Sequence, residues 1–229
     1  MPYLRHPPAR RISPELLAGA SPEEAAENLR DLARLNRWLG GHWLLRQLVS
    51  ELARRDEPLR VLDVGAASGD MAAALRNRFP LAQIVSLDVA PHHLAEAPAP
   101  RVAADAFRLP FPSKSFDVVT ACLFLHHFED DQAVVLLRGF AETARKGVVI
   151  LDAYRHGFAR AFVPATRCLF GWHRIMRSDA PVSVEASFRP AELAALAQAA
   201  GLRQFRARAH FPWFRTSLVA RTGHDSLTL

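Results

Sequence analysis

Arg60-Val61-Leu62-Asp63-Val64-Gly65-Ala66-Ala67-Ser68-Gly69-Asp70 is the stretch that decides the architecture. Its first five residues read as a short buried strand, and the rest as a glycine-containing turn. A helix follows from Met71 to about Phe79, stopped by Pro80. Strand, turn and helix in this order open a βαβ unit, and ligands in such sheets sit at the carboxyl ends of the strands. Gly65 and Gly69 let the chain turn sharply with no Cβ between backbone and ligand. A loop that grips a dinucleotide pyrophosphate has the spacing G-x-G-x-x-G. Here the second glycine is missing, and Asp63 precedes the first by two residues. An acid in that place suits a ligand carrying positive charge, and S-adenosylmethionine, with a sulfonium and an ammonium group, fits.

Toward the C-terminus the rhythm repeats. Gln83–Asp88 is a second strand, followed by a short, poor helix over Pro91–Ala97 and a strand in Arg101–Asp105. Phe116–Phe124 is apolar on both sides and therefore central, Asp130–Thr143 is helical, and Gly147–Asp152 is another central strand. Alternation of this kind predicts right-handed crossovers and a mostly parallel, doubly wound α/β sheet covered on both faces. Beyond it, residues 155–180 read as an inserted helical segment and Pro190–Ala200 as a helix ended by Gly201. Arg203–His210 and Trp213–Arg221 read as an antiparallel strand pair. Toward the N-terminus, Ser21-Pro22-Glu23-Glu24 starts a helix reaching about Leu39 at Gly40-Gly41, and a second helix spans His42 to Arg54. The division is an arm and helical extension over 1–57 and a catalytic domain over 58–229.

Asp88 closes the second strand, where a carboxylate can accept from ribose hydroxyls, with Val89 beside it. Asp105 and Ala106 follow the third strand, where an acid can accept from an adenine amino group and the next backbone N–H can reach the ring. Together with the strand–D-x-G-x-x-x-G–helix pattern, these residues resemble the class I S-adenosylmethionine-dependent methyltransferases over roughly Arg60–Asp152. That resemblance implies a Rossmann-like sheet of seven strands with the last one antiparallel. It also implies Asp63, Gly65, Ala66, Ala67 and Gly69 around the methionine part of the cofactor, Asp88 and Val89 at the ribose, Asp105 and Ala106 at the adenine, and Leu123 at the edge of the fourth strand. Leu123-Phe124-Leu125-His126-His127-Phe128 is similar to the segment of ubiquinone/menaquinone-type enzymes that borders the methyl acceptor. Leu35-Asn36-Arg37, Pro181-Val182-Ser183-Val184 and Phe188–Leu193 are similar to small methyltransferases that accompany type III polyketide synthases. The family usually caps the last of these helices with Thr or Ser, and Arg189 stands there instead.

An oxygen acceptor must lose a proton, and a phenol with a pKa near 10 needs a base at neutral pH. His126 and His127 are the candidates; Asp152, Tyr154 and His156 are alternatives. Residues 155–177 carry five Arg and no acid, interleaved with Phe, Leu, Trp, Ile and Met. An insertion of this composition suggests a cap over a greasy or aromatic acceptor. A membrane-surface role is the lesser reading, because Pro164 interrupts any long amphipathic helix.

The net charge is +6, with eleven Arg against four acids in 154–229, so the excess lies away from the cofactor half. With only two Lys in the chain, arginine usage reads as compositional bias and not as a nucleic-acid surface. Thr120-Ala121-Cys122-Leu123 lacks the D/N-P-P-Y/F of amino-directed nucleic-acid methyltransferases, and Ala121 precedes Cys122 where cytosine-C5 enzymes need Pro. Cys122 and Cys168 read as buried reduced thiols of a cytoplasmic protein, and no metal site is expected. The expected activity is methylation of a small phenolic or polyketide-derived molecule at oxygen, in secondary metabolism. C-methylation of a quinone-like ring and a non-catalytic cofactor binder are the alternatives.

Overall fold

A computed structural model describes residues 9–223, so the N-terminal part of the predicted arm lies outside the described residues. Seven strands form one sheet: β1 Leu59–Val64, β2 Ala82–Asp88, β3 Arg101–Ala103, β4 Phe116–Cys122, β5 Ala144–Ala153, β6 Gln204–His210 and β7 Arg215–Arg221. Their spatial order is β3-β2-β1-β4-β5-β7-β6. β1 pairs in parallel with β2 and β4, and β4 with β5, while β7 runs antiparallel to both β5 and β6.

Two apolar clusters cover the two faces. On one, α4 (Asp130–Thr143) and α8 (Pro190–Ala199) bury Leu136, Leu137, Phe140 and Leu193 against Val119, Ile150 and Leu218. On the other, α2 (Gly41–Val49) and α3 (Asp70–Arg78) bury Leu45, Leu48, Met71 and Leu75 against Val61, Val118 and Leu151. Full burial of such side chains contributes about 1.5–3 kcal/mol each before chain entropy is counted. β3 and β6 are the edge strands; on β6, Gln204, Arg206 and Arg208 are exposed, and charged side chains of this kind disfavour edge-to-edge pairing.

The N-terminal helices begin as their sequence dictates. Ser21 caps α1 (Pro22–Trp38): its Oγ accepts from Glu24 N–H at 3.3 Å, while the Glu24 carboxylate accepts from Ser21 N–H. Gly40 follows with φ +67°, and the Trp213 ring stands 2.6 Å from where a Cβ would be. α2 stops at Val49, short of the expected Arg54. Ser50 turns its hydroxyl back on Arg46 C=O at 2.8 Å, and the chain bends so that Leu52 and Ala53 enter the apolar cluster under α2.

Between β5 and α8 lie α5 (Gly157–Ala165), the short α6 (Arg167–Phe170) and α7 (Arg174–Ala186). Pro164 falls in the last turn of α5. α7 continues past the expected limit of 180, carrying Pro181 within it. Glu192 accepts from Arg189 N–H at 2.8 Å at the start of α8, so that helix is capped from inside its first turn. Cys122 is buried as expected, whereas Cys168 is exposed on α6. Among the described residues no helix is long and apolar enough to cross a membrane.

Candidate active site

Register places the first acid. Asp63 in β1 lies opposite Thr120 in β4, whose hydroxyl donates to Asp63 Oδ1 at 2.8 Å. The other carboxylate oxygen is buried with no partner. Burial pushes the Asp63 pKa up to about 7, opposed by the Thr120 hydrogen bond and reinforced by Asp70 and Asp88. Such a carboxylate is poised to receive a cation.

The turn after β1 is built around close approach. Gly65 has φ +66°, and the Phe124 ring lies 2.3 Å from where a Cβ would stand. Ala67 (φ +47°) and Leu123 (φ +49°) adopt the left-handed conformation without being glycine, and both line the same cavity. Strain of this kind concentrates at ligand sites. Asp88, at the tip of β2, also lines the cavity. Its two oxygens accept from Ala67 N–H at 3.1 Å and Ala90 N–H at 3.0 Å, and His93 stands 3.6 Å away. Despite burial, His93 and the two amides hold its carboxyl below the usual range.

The cavity has a volume of about 720 Å³. It runs from Gly65, Asp88, Val89 and Leu123 at the strand tips to an apolar lobe made by Leu29, Leu32 and Leu35 of α1, Phe162 and Val163 of α5 and Met176 of α7. Asp63 and Ala66 line a small recess that shares Leu32, Gly65, Ala67, Cys122 and Leu123 with it. Thus Asp63, Gly65, Ala66, Ala67, Asp88, Val89, Leu123, His126 and His127 come together around one space. Gly69 does not join them. It starts α3 at φ +73°, with Pro98 and Ala97 packed where a Cβ would be. Asp105 and Ala106 also stay off the lining. Asp105 is exposed and accepts from Phe107 N–H at 2.9 Å, and Ala106 packs on the core. A row of rings, Phe124–Phe128–Phe107, runs from the cavity wall to the Asp105 turn.

Past β4 the chain makes a 3-10 turn, Leu125–His127, that stacks two histidines with ring centroids 4.1 Å apart. His126 is buried; its Nδ1 meets Asp152 Oδ1 at 2.7 Å, and its backbone N–H donates to Asp152 Oδ2. Its Nε2 makes no hydrogen bond and stands 3.8 Å from Glu15. Burial opposes charge on His126, but Asp152 and Glu15 outweigh it and raise the pKa to about 10. His127 is half-exposed at the cavity wall, 3.7 Å from Glu15. Desolvation and the neighbouring His126 charge push its pKa down. The two rings are thus shifted in opposite directions, His126 toward the charged form and His127 toward the neutral one. Tyr154 and His156 stack on each other and meet Phe211 edge-on; neither lines the cavity, although His156 stacks on Phe214, which does.

Four partners were not legible. Glu15 lies in the arm and reaches the histidines only in three dimensions; Ser183 donates to it. Asn36 donates to Asp70 at 3.1 Å, and His42 Nε2 lies 2.7 Å from the same oxygen, joining α1, α2 and α3 at the recess. Arg215 stands at the start of β7, inside the cavity wall.

A doubly wound sheet with a buried acid under its first turn and a second acid at the next strand tip defines an adenosine-type ligand crevice opening on an apolar pocket. Residues 62–150 match a family described as a methyltransferase domain. The chain is 34% identical over 195 residues to a demethylmenaquinone methyltransferase of Thermus thermophilus, covering 73% of this chain and 86% of the relative. It is 32% identical to a malonyl-[acyl-carrier protein] O-methyltransferase of Dechloromonas aromatica, covering 71% of this chain and 61% of that one. The solved plantazolicin methyltransferase BpumL, in complex with SAH, shares the fold with a TM-score of 0.64 at 13% identity, over 87% of this chain and 89% of that one. The chain belongs to the class I S-adenosylmethionine-dependent methyltransferases, and S-adenosylmethionine is its cofactor. The residues fit that group: Asp63 borders the recess and one of its buried carboxylate oxygens has no hydrogen-bond partner to offset its charge.

Proposed function

We propose that this methyltransferase acts on an apolar aromatic small molecule, phenolic or polyketide-derived, and methylates it at oxygen. The observation that carries this reading is geometric: His126 and His127 stand on the wall of a cavity whose far lobe is apolar. The cofactor supplies a methyl group on a positively charged sulfur. Asp63, Gly65, Ala67, Asp88 and Leu123 hold it at the strand tips, while α1, α5 and α7 enclose the acceptor and exclude water. His127, at the cavity wall, is placed to accept the proton of the acceptor oxygen, and Asp152 fixes the His126 ring beside it. Because the cofactor's sulfur is already a good leaving group, positioning contributes most of the acceleration.

A second reading, C-methylation of a quinone-like ring, draws on the 34% identity to a demethylmenaquinone methyltransferase. Mass spectrometry and NMR of products from a panel of alkyl phenols and quinols separate the two. An O–CH3 product whose formation falls at least about tenfold in His127→Ala supports the proposal. A C–CH3 product supports the second reading. Unchanged turnover in both His126→Ala and His127→Ala removes the base assignment.

A further inference from the structure

Arg215 is the buried group that nothing above employs. Its residue is 3% exposed, yet it lines the cavity. It pairs with Ala153 across β5 and β7 and points toward α1. Its one side-chain hydrogen bond among the described residues is neutral: Nη2 donates to Asn36 Oδ1 at 2.9 Å. No carboxylate among the described residues forms an ion pair with it. Asp152 and Asp70, the acids that act on it from a distance, are already engaged, the first by His126 and the second by Asn36 and His42.

A guanidinium taken out of water carries a large desolvation cost unless an anion meets it. Its planar fork of donors matches a carboxylate or another pair of oxygens. Asn36 engages one nitrogen, and the other guanidinium donors make no hydrogen bond among the described residues. We infer that Arg215 is the oxyanion-binding residue of the cavity. It receives either the carboxylate of the cofactor's methionine end or an ionised oxygen of the acceptor; the former rests on the cofactor assignment above. Arg215 lines the main cavity. It is linked through Asn36 to the recess that holds Asp63, and it shares the cavity wall with Cys122 and Leu35.

Binding measurements on the full chain distinguish the two sources. In the first arm, wild type and Arg215→Met are titrated with S-adenosylhomocysteine and with 5′-methylthioadenosine, which lacks the amino-acid end. In the second, both proteins saturated with S-adenosylhomocysteine are titrated with decanoate and with decanol. A cofactor contact weakens S-adenosylhomocysteine about tenfold or more while leaving methylthioadenosine within about twofold. An acceptor contact weakens decanoate by a similar factor and leaves decanol unchanged. Arg215→Lys, which keeps the charge, restores most of the lost affinity in the arm concerned. If Arg215→Met does not fold, Arg215→Gln is read in the same way. Equal affinities for every ligand in wild type and variant overturn the inference, and binding of methylthioadenosine in that case leaves the cofactor assignment standing.

Discussion

At Asp63 a carboxyl is buried beside Thr120, with Asp70 and Asp88 adding negative potential, and the cost of charging it depends on pH. Its folded pKa of about 7 lies above the usual 3.8, so the folded chain holds a proton there that the unfolded chain has released. Stability attributable to this group is therefore greatest below the unfolded value, falls as pH rises through about 7, and stays low above it. Asp63→Asn removes the penalty: its melting temperature should exceed wild type at pH 8 and converge on it toward pH 4, while S-adenosylhomocysteine binding weakens at least about tenfold. A thermal melt series against pH, paired with calorimetry, checks both halves. Asp63, Asp88 and Leu123 were legible because each sits at a strand tip in a spaced pattern. Arg215 was not, since one Arg among eleven in the last third of the chain carries no mark in the sequence of the Asn36 that meets it. The pairing of His126 with Asp152 and the approach of Glu15 to both rings also required three dimensions, because Glu15 lies far away in the chain.

The arm before α1 acts as a lid at the scale of elements. Ile12, Glu15 and Leu17 line the cavity, and two anchors fix the segment that carries them. Arg10 Nε donates to Ala186 C=O at 2.6 Å, its Nη2 donates to His126 C=O at 3.1 Å and to Phe128 C=O, and its guanidinium lies 3.9 Å from the Phe188 ring centroid. Asp179 of α7 accepts from Leu16 and Leu17 N–H at 3.0 and 2.9 Å. The arm therefore bridges the histidine turn and α7 instead of lying free. Asp179→Ala leaves both amides without that partner and should raise the rate of trypsin cleavage after Arg10 and Arg11 several-fold, with S-adenosylhomocysteine affinity little changed. Cleavage unchanged from wild type would show that the arm is held elsewhere. The helices and strands themselves follow their local signals closely, because Ser21, Pro22, Pro190 and Gly201 mark ends by backbone chemistry alone. The arm offers no such periodicity, so its contacts could not be read.

Across the whole molecule, the sheet divides the labour between its faces and its carboxyl edge. The two apolar faces bury α4 and α8 on one side and α2 and α3 on the other, and the edge is left to carry chemistry. β4 and β5 are continuous apolar strands whose ends deliver Leu123, His126 and Asp152 to one place, which is why the alternating rhythm sufficed for the fold. The α5–α7 segment and the arm then roof the edge with apolar side chains, enclosing a cavity of about 720 Å³ above the strand tips. The most direct test is a crystal structure with S-adenosylhomocysteine bound. The account predicts the amino-acid end against Asp63 and Gly65, the ribose at Asp88, and the sulfur beside Leu123 facing the apolar lobe and His127. A ligand bound outside this cavity, or one whose sulfur faces away from that lobe, would contradict it.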